Sequence, residues 1–432
     1  VIPPRNPNSR NRFPARRRFL KQSAALSAGA ASMAAPALAL GARPAPVKIG
    51  VLHAASSAPA SSGAACCAGV LLAIDDINAT GGVAALGGAR LEAVLGDRHG
   101  RPRRSAAEVE QMNDAGVAAL IDAGGGAGGG TEEGAGDRAA DAAPLRAAAD
   151  AAYALPYVVA IGAPDRIDER CVPYTFCFGP SRRDSVQQAL HDLQALNVAA
   201  GRPLATAAVV GAKTTPELGQ LAHIALQAQG FEVKASFELS RTPHQIADAA
   251  RRTRAVGADL LVSTLDDDAV LPLALALRRL DAYPERPAAL CAFSGGALLN
   301  SRVIREFPEA ADLMMVCGAW FDARDARARS LRARIEARHG FFSSEHLVGY
   351  HAVGLLADAL ERAGSARRED IAAALRSSAW DGHFMPYGPT RFVDGRNLGA
   401  RPALLQVQNG DFKLIGPARY AEAGPVFASS AA

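Results

Sequence analysis

The sequence predicts an α/β fold built as two comparable lobes, and three observations carry that prediction. Short apolar runs of strand length alternate with helical patterns from Val47 onward, which means parallel strands joined by right-handed helical crossovers. The alternation occurs twice, as two βα series of similar length on either side of Tyr174–Pro180. The chain has 432 residues, 49% apolar and 21% charged, enough to bury two well-formed cores.

The first series opens with the buried strand Val47–His53 and the small, polar segment Ala54–Gly63. Ala64–Asn78 reads as a helix with Val70, Leu71, Ile74 and Ile77 on one stripe, closed by Thr80-Gly81-Gly82. Leu91–Leu95 is a strand, Ser105–Ala115 a helix opened by a Ser cap, and Val117–Ile121 a strand. That strand runs into a loop with six glycines in seven residues, Gly124–Gly130. Glycines there let backbone N–H groups face outward toward a small anion. Ala139–Leu155 is an Ala-rich helix interrupted at Pro144, and Tyr157–Ile161 is the next strand.

In the second series Asp184–Leu196, Glu217–Gln229, Pro243–Val256 and Ala269–Leu280 are helical. Thr206–Val210, Glu232–Leu239, Leu260–Thr264 and Ala288–Phe293 are strands. Beyond it come the strand Leu313–Trp320 and the helices Ala326–His339, Glu345–Ala363 and Glu369–Leu375. A meander of Thr390–Val393, Ala403–Val407 and Phe412–Ile415 follows, with turns at Asp394-Gly395 and Asn409-Gly410.

Residues 1–42 stand apart. They carry seven of the chain's cations and no acid, so the net charge of +4 leaves the remainder at −3. That balance gives no footprint for nucleic acid. Arg16-Arg17-Arg18-Phe19-Leu20-Lys21 resembles the twin-arginine export motif, and Ala37-Leu38-Ala39 or Leu40-Gly41-Ala42 offers a small-residue cleavage site. The expectation is an export signal over 1–42 and a soluble mature protein in the periplasm. The Ala-, Ser- and Gly-rich run is too weakly apolar to favour a membrane anchor. In an oxidising compartment, Cys171 with Cys177 and Cys291 with Cys317 are alternative disulfide pairs, whereas Cys66-Cys67 read as small core residues. No C-x-x-C pair is present and the nine histidines are scattered, so no metal site is expected.

Four stretches together resemble the type I periplasmic solute-binding proteins of ABC importers, specifically the branched-chain amino-acid-binding (leucine/isoleucine/valine) group. They are Lys48–Gly63 with the following helix Gly69–Gly82 (GVLLAIDDINATGG), Leu155–Ser181, Tyr350–Ser365 and Met385–Phe412. The resemblance covers nearly all of 47–417 and implies two Rossmann-like lobes with parallel sheets, joined by three hinge crossings. The first lobe would comprise 47–180 plus 322–380, the second 181–321 plus 381–417, with 418–432 as a tail. It also implies a monomer that closes on a small-molecule ligand and delivers it to ABC permease and ATPase subunits, with no cofactor.

The resemblance places ligand contacts residue by residue. His53, Ser56 and Ser57 follow the first strand, where they also read as an ordinary polar loop. Gly125, Gly126 and Thr131 match the loop that takes a ligand carboxylate. Here only Thr131 supplies a hydroxyl, Glu132 and Glu133 follow it, and a flexible linker is the competing reading. Ala163, Pro164 and Asp165 form the third contact, with Asp165 either meeting a ligand amine or capping the next turn.

Across the cleft, Thr214 and Thr215 stand where relatives often carry an aromatic residue. Asp266 precedes a helix start, where capping is the plain alternative. Ser294 takes the place of the Glu that holds an α-amino group in amino-acid binders, so the ligand is left open. Trp320 lies at a lobe crossing, as a cleft aromatic or as core.

Gly124, Gly126 and Gly129 also spell G-x-G-x-x-G, a match that comes nearly free in such a run and lacks the later acid of a dinucleotide site. No G-x-S-x-G, H-E-x-x-H or P-loop signature appears, so a binder is favoured over an enzyme. A sensor that signals to a regulator is the alternative on the same fold.

Overall fold

The computed structural model describes residues 44–53, 61–97, 102–124, 147–148, 152–240, 242–265, 267–293 and 298–427. The chain divides into residues 1–42 and 43–432. The expected export signal lies outside the described residues, as do Ser56, Ser57, Gly125, Gly126, Thr131, Asp266 and Ser294.

Two seven-stranded sheets form the framework. The first uses β1 (Val47–His53), β2 (Leu91–Asp97), β3 (Ala119–Asp122), β4 (Tyr157–Val159) and β5 (Thr175–Cys177), with β11 (Phe392–Val393) and β12 (Arg396–Asn397) at one edge. Its order is β2-β1-β3-β4-β5-β12-β11, and only the β11–β12 hairpin is antiparallel. The second uses β6 (Thr206–Ala212), β7 (Glu232–Leu239), β8 (Leu260–Ser263), β9 (Ala289–Ala292), β10 (Met315–Gly318), β13 (Ala403–Gln408) and β14 (Asp411–Gly416). It repeats the pattern as β7-β6-β8-β9-β10-β13-β14, antiparallel from β13 outward. This is the predicted α/β fold with two lobes.

The sheet membership shifts one expected boundary. The resemblance puts 381–417 together in the second lobe, but the hairpin 392–397 joins the first sheet through the pairing of Arg396 with Cys177 of β5. The last crossing between sheets therefore runs through 398–402. Two-residue strands carry no period of their own, and only their tertiary neighbour fixes them.

The inner strands are buried on both faces, as β3, β4, β8 and β9 show throughout their length. Helices α1 (Ser62–Ala79), α2 (Pro102–Asp114), α3 (Arg182–Ala199), α4 (Pro216–Ala228), α5 (Pro243–Val256) and α6 (Asp267–Arg279) form the crossovers and the first return. Short α7 (Ser301–Glu306) and α8 (Pro308–Ala311) precede β10, and α9 (Ala326–His339), α10 (Ser344–Ala363) and α11 (Arg368–Arg376) follow it. Caps set their limits. Ser61 accepts from the Ala64 N–H, Ser343 and His346 form a reciprocal capping box on α10, and α5, α9 and α10 end on left-handed glycines.

The tightest packing joins α1 to α10. A Cβ on Gly69 would lie 2.0 Å from the carbonyl oxygen of His346, and one on Gly349 would lie 2.0 Å from that of Cys66. The two helices thus meet backbone to backbone through paired glycines, with Cys66 buried at the contact. At the rim of this contact, Arg334 of α9 forms a two-armed ion pair with Asp76, which also accepts from the Tyr350 hydroxyl at 2.8 Å. α1 is long and apolar enough to cross a membrane by composition, but here it is a core helix.

All six cysteines are buried and none is joined in a disulfide, so neither expected pair is bridged. Burial pushes the Cys177 and Cys291 thiols up to about 12, which keeps them protonated and poorly nucleophilic. They serve as small packing residues on either sheet.

Two predictions follow from this packing. Gly349→Ala must force α1 and α10 apart and should lower the unfolding free energy by about 1–3 kcal/mol. Gly388→Ala, where an added Cβ meets nothing within 4 Å, should be nearly neutral; equal denaturation midpoints for the two would refute the close-packing argument.

The second concerns pH. Burial pushes the His351 imidazole well below the usual histidine range, lowers His383, and brings His346 down to about 4. The folded state keeps these rings neutral, while the unfolded chain takes up protons below about pH 6.5. Stability is therefore complete above that pH and falls on acidification, by up to about 1.4 kcal/mol per pH unit for each ring. Denaturant titrations at pH 7.5 and 5.0 should show that loss, with a smaller slope in His346→Gln.

Candidate functional site

In a sheet of parallel strands the loops that follow the strands gather at one edge, where open α/β folds bind ligands. In the first sheet that edge carries His53 at the end of β1, Asp122 at the end of β3 with Ala123 and Gly124 after it, and Ala160–Asp165 after β4. In the second it carries Lys213–Thr215 after β6, Thr264-Leu265 after β8, and Phe293 after β9.

His53 pairs in register with Asp97 on β2. Its ring is half-buried, its Nδ1 is enclosed without a hydrogen-bond partner, and burial lowers its pKa against the opposing pull of Asp97. A neutral imidazole with an unused nitrogen is suited to accept or donate one hydrogen bond, according to its tautomer.

Asp122 closes β3 and was not singled out from sequence. Its carboxylate accepts from the Gly124 N–H at 2.9 Å and from the buried Tyr157 hydroxyl at 2.8 Å. It therefore fastens the start of the glycine run to β4. Gly124 itself has φ +67°, and a Cβ there would lie 2.9 Å from that of Ile161. Only glycine meets both demands. The signal in the sequence was an acid ending an otherwise apolar strand just before the glycines.

Ala163, Pro164 and Asp165 follow β4 as expected, but Asp165 is already engaged. Its carboxylate accepts from the backbone N–H of Arg183, in the first turn of α3, at 3.3 Å. The cap foreseen for the following turn is thus made to a helix 18 residues away. The Arg396 guanidinium donates to the carbonyls of both Pro164 and Asp165.

On the second sheet, Thr215 caps α4 in position only. Its side chain makes no cap hydrogen bond, and its Oγ1 is buried without a partner. Thr264, 1% exposed and not predicted, carries a second such hydroxyl. A Cβ on Gly211 would stand 3.2 Å from that oxygen and 3.4 Å from the Gly219 Cα, so two glycines let α4 approach β6 next to Thr264. Thr214 is partly exposed beside them.

Of the two readings of Trp320, cleft aromatic or core, the structure favours the core. Trp320 is 1% exposed, stacks on Phe321 at 5.0 Å, and meets Phe342 and Phe412 edge-on at 5.5 and 5.4 Å. A ring of this size at a crossing is stabilised more by aromatic packing than by exposure to a cleft. A cavity of about 280 Å³ is walled by this cluster and by Arg329, Arg332 and Glu336. Arg332 there is already paired with Glu336 and Asp411, both at 3.0 Å. Among the described residues no group of three or more His, Cys, Asp or Glu is placed to hold a metal ion.

Comparison with known proteins agrees with this architecture. A family model described as periplasmic binding protein matches residues 46–411. No curated protein sequence matches the chain. Among solved structures, a putative branched-chain amino acid ABC transporter protein from Silicibacter pomeroyi superposes with a TM-score of 0.72 at 17% identity, covering 88% of this chain and 99% of its own. An ABC transporter substrate-binding protein from Desulfitobacterium hafniense in complex with Leu gives 0.63 at 19% identity, covering 85% and 99%. A solute-binding protein from R. palustris in complex with benzoate gives 0.67 at 18% identity, covering 89% and 99%. With its matched span and its two doubly wound sheets, the chain belongs to the periplasmic binding protein family.

Proposed function

We propose that the chain is the substrate-binding component of an ABC importer. It captures a small polar solute between its lobes and delivers it to a membrane permease. The observation that carries this reading is the distribution of unused polar atoms. His53 Nδ1, Thr215 Oγ1 and Thr264 Oγ1 are all enclosed without a protein partner, and all lie at the carboxyl ends of strands, on both sheets. A buried polar group left unpaired costs about 1–3 kcal/mol, so such groups are retained where something else completes them. A solute held between the two edges would do so, and hinge closure would bury it.

Relatives of this fold bind leucine in one case and benzoate in another, which frames the screen. The solute is an amino acid, an amide or a small organic acid. Ser294 stands in place of an amino-anchoring Glu, which favours ligands without an α-amino group. Export through the twin-arginine-like segment, cleavage after Ala39 or Ala42, and a monomeric mature protein in the periplasm belong to the same proposal. The role is binding without turnover and without a cofactor.

The test is a thermal-shift and scattering screen on the purified chain with leucine, isoleucine, benzoate and related amides and acids. One solute per monomer should raise the melting temperature and reduce the radius of gyration. Against that solute, Thr264→Val and Thr215→Val should each weaken affinity about two- to tenfold, the worth of one hydrogen bond. A screen without shift or compaction would remove the transport reading.

The glycine-loop anchor gives a separate expectation. Asp122→Ala strips two buried donors of their acceptor and should cost about 2–4 kcal/mol of folding stability. Tyr157→Phe with Asp122→Ala should lose less than the sum of the two changes, and strict additivity in a double-mutant cycle would deny the link.

A further inference from the structure

Arg396 occupies a position that the ligand-binding reading does not use. It is the first residue of β12, beside Cys177 of β5, and the turn before it is built tightly. Gly395 has φ +75°, its carbonyl accepts from the Cys177 N–H at 2.7 Å, and a Cβ on it would lie 2.6 Å from the Thr175 oxygen. On the other side, Asn397 donates to the Phe178 carbonyl at 2.9 Å and accepts from the N–H groups of Arg391 and Gly399. The backbone that carries the guanidinium is therefore fixed on both flanks, directly before the last crossing between the sheets.

From that base the side chain reaches in two directions. Toward the first sheet it donates to the main-chain oxygens of Pro164 and Asp165, in the loop after β4. Toward the second sheet it lies 3.8 Å from the carboxylate of Asp184 in the first turn of α3. The Asp165 carboxylate makes the reverse connection, to the Arg183 N–H. One guanidinium is thus held between the main chain of the β4 loop and the carboxylate of Asp184, where the first and last crossings run together.

We propose that Arg396 is the positioning residue of the hinge: it couples the β4 loop to α3 and sets the resting angle between the lobes. The assignment of the β4 loop to the ligand rests on the function proposed above; the coupling itself does not. The two halves of the contact differ in strength. The limb to the Pro164 and Asp165 carbonyls consists of charge-assisted hydrogen bonds from a single guanidinium nitrogen, Nη2, to two main-chain oxygens. The limb to Asp184 is an ion pair whose partners are 32% and 57% exposed. A pair so exposed contributes little and is screened by salt, so it biases an angle without locking it. The weak limb is the one that crosses between sheets, as a reversible hinge requires.

The test needs no ligand, so its failure is separable from failure of the transport reading. Because every native cysteine is buried, spin labels at Glu92→Cys on β2 and Lys234→Cys on β7, the outer strands of the two sheets, report the lobe separation in the full chain. In the parent protein the distance distribution should be narrow at low salt and broaden at high salt. Arg396→Ala should broaden it at low salt and abolish the salt response. Asp184→Asn, which leaves the first-lobe limb intact, should do the same by a factor of roughly 1.4 to 5 in the ratio of open to closed forms. Arg396→Lys, keeping the charge but not the two nitrogens that serve the two limbs, should restore the salt response in part. Distributions for Arg396→Ala and Asp184→Asn that superpose on the parent would overturn the proposal. So would broadening in Arg396→Ala alone, which would confine the residue to holding the first lobe together.

Discussion

The backbone contact between α1 and α10 is the constraint on which the first lobe depends. These helices come from opposite ends of the matched region, and each contributes one glycine to the other's carbonyl surface, Gly69 against His346 and Gly349 against Cys66. Close approach of this kind maximises dispersion contact and leaves no room for adjustment. It also explains neighbouring features that otherwise look unrelated. Cys66 is small because a larger side chain would hold the helices apart. The Ser343–His346 capping box places the first turn of α10 where the His346 carbonyl meets Gly69. Asp76, Tyr350 and Arg334 then seal the rim with polar contacts.

Fixing α1 also fixes the strand before it. β1 lies second from the end of the first sheet, flanked by β2 and β3, so the helix contact supports the strand that holds His53 in register with Asp97 and near the β3 exit. At that exit Asp122 does locally what the helices do at larger scale: it spends its acceptors on Gly124 and Tyr157, leaving the glycine run to begin from a rigid point. The second sheet uses Gly211 and Gly219 beside Thr264 for the same purpose. In both sheets unused polar atoms appear at the carboxyl ends of strands, at His53, Thr215 and Thr264.

Much of this was legible in the sequence, for definite reasons. Strand β7 and helices α5 and α9 have the residue limits that periodicity and end signals give, because Pro at a helix start and Gly at its end act locally. The motifs that carried the family resemblance, Gly69–Gly82 and Tyr350–Ser365, belong to the two helices that pack on one another. What the sequence hid depends on distant neighbours. The β11–β12 hairpin has too few residues for a pattern, and its sheet is chosen by Cys177. For Asp165 the sequence leaves ligand contact or capping open, and for Trp320 cleft or core; only tertiary neighbours decide, a helix N–H for one and three aromatic rings for the other. Asp122 and Thr264 were passed over because one acid or hydroxyl at a strand end looks ordinary until its partners, or lack of them, are known.

The hinge brings these levels together. A binding protein of two lobes must be stiff within each lobe and compliant between them, so the strong contacts should lie within lobes and the weak ones across. Glycine-to-backbone packing and the Asp122 anchor fall in the first class, since no modest force can shift them. The Arg396–Asp184 pair falls in the second, because solvent can replace either partner at little cost. Asp165 stands between them: its carbonyl is held from the first lobe by Arg396 and its carboxylate reaches the main chain of α3. A shift in lobe angle must therefore alter the loop after β4, and a ligand seated on that loop must in turn bias the angle. The same reciprocity would couple solute capture to the contact between Arg396 and α3.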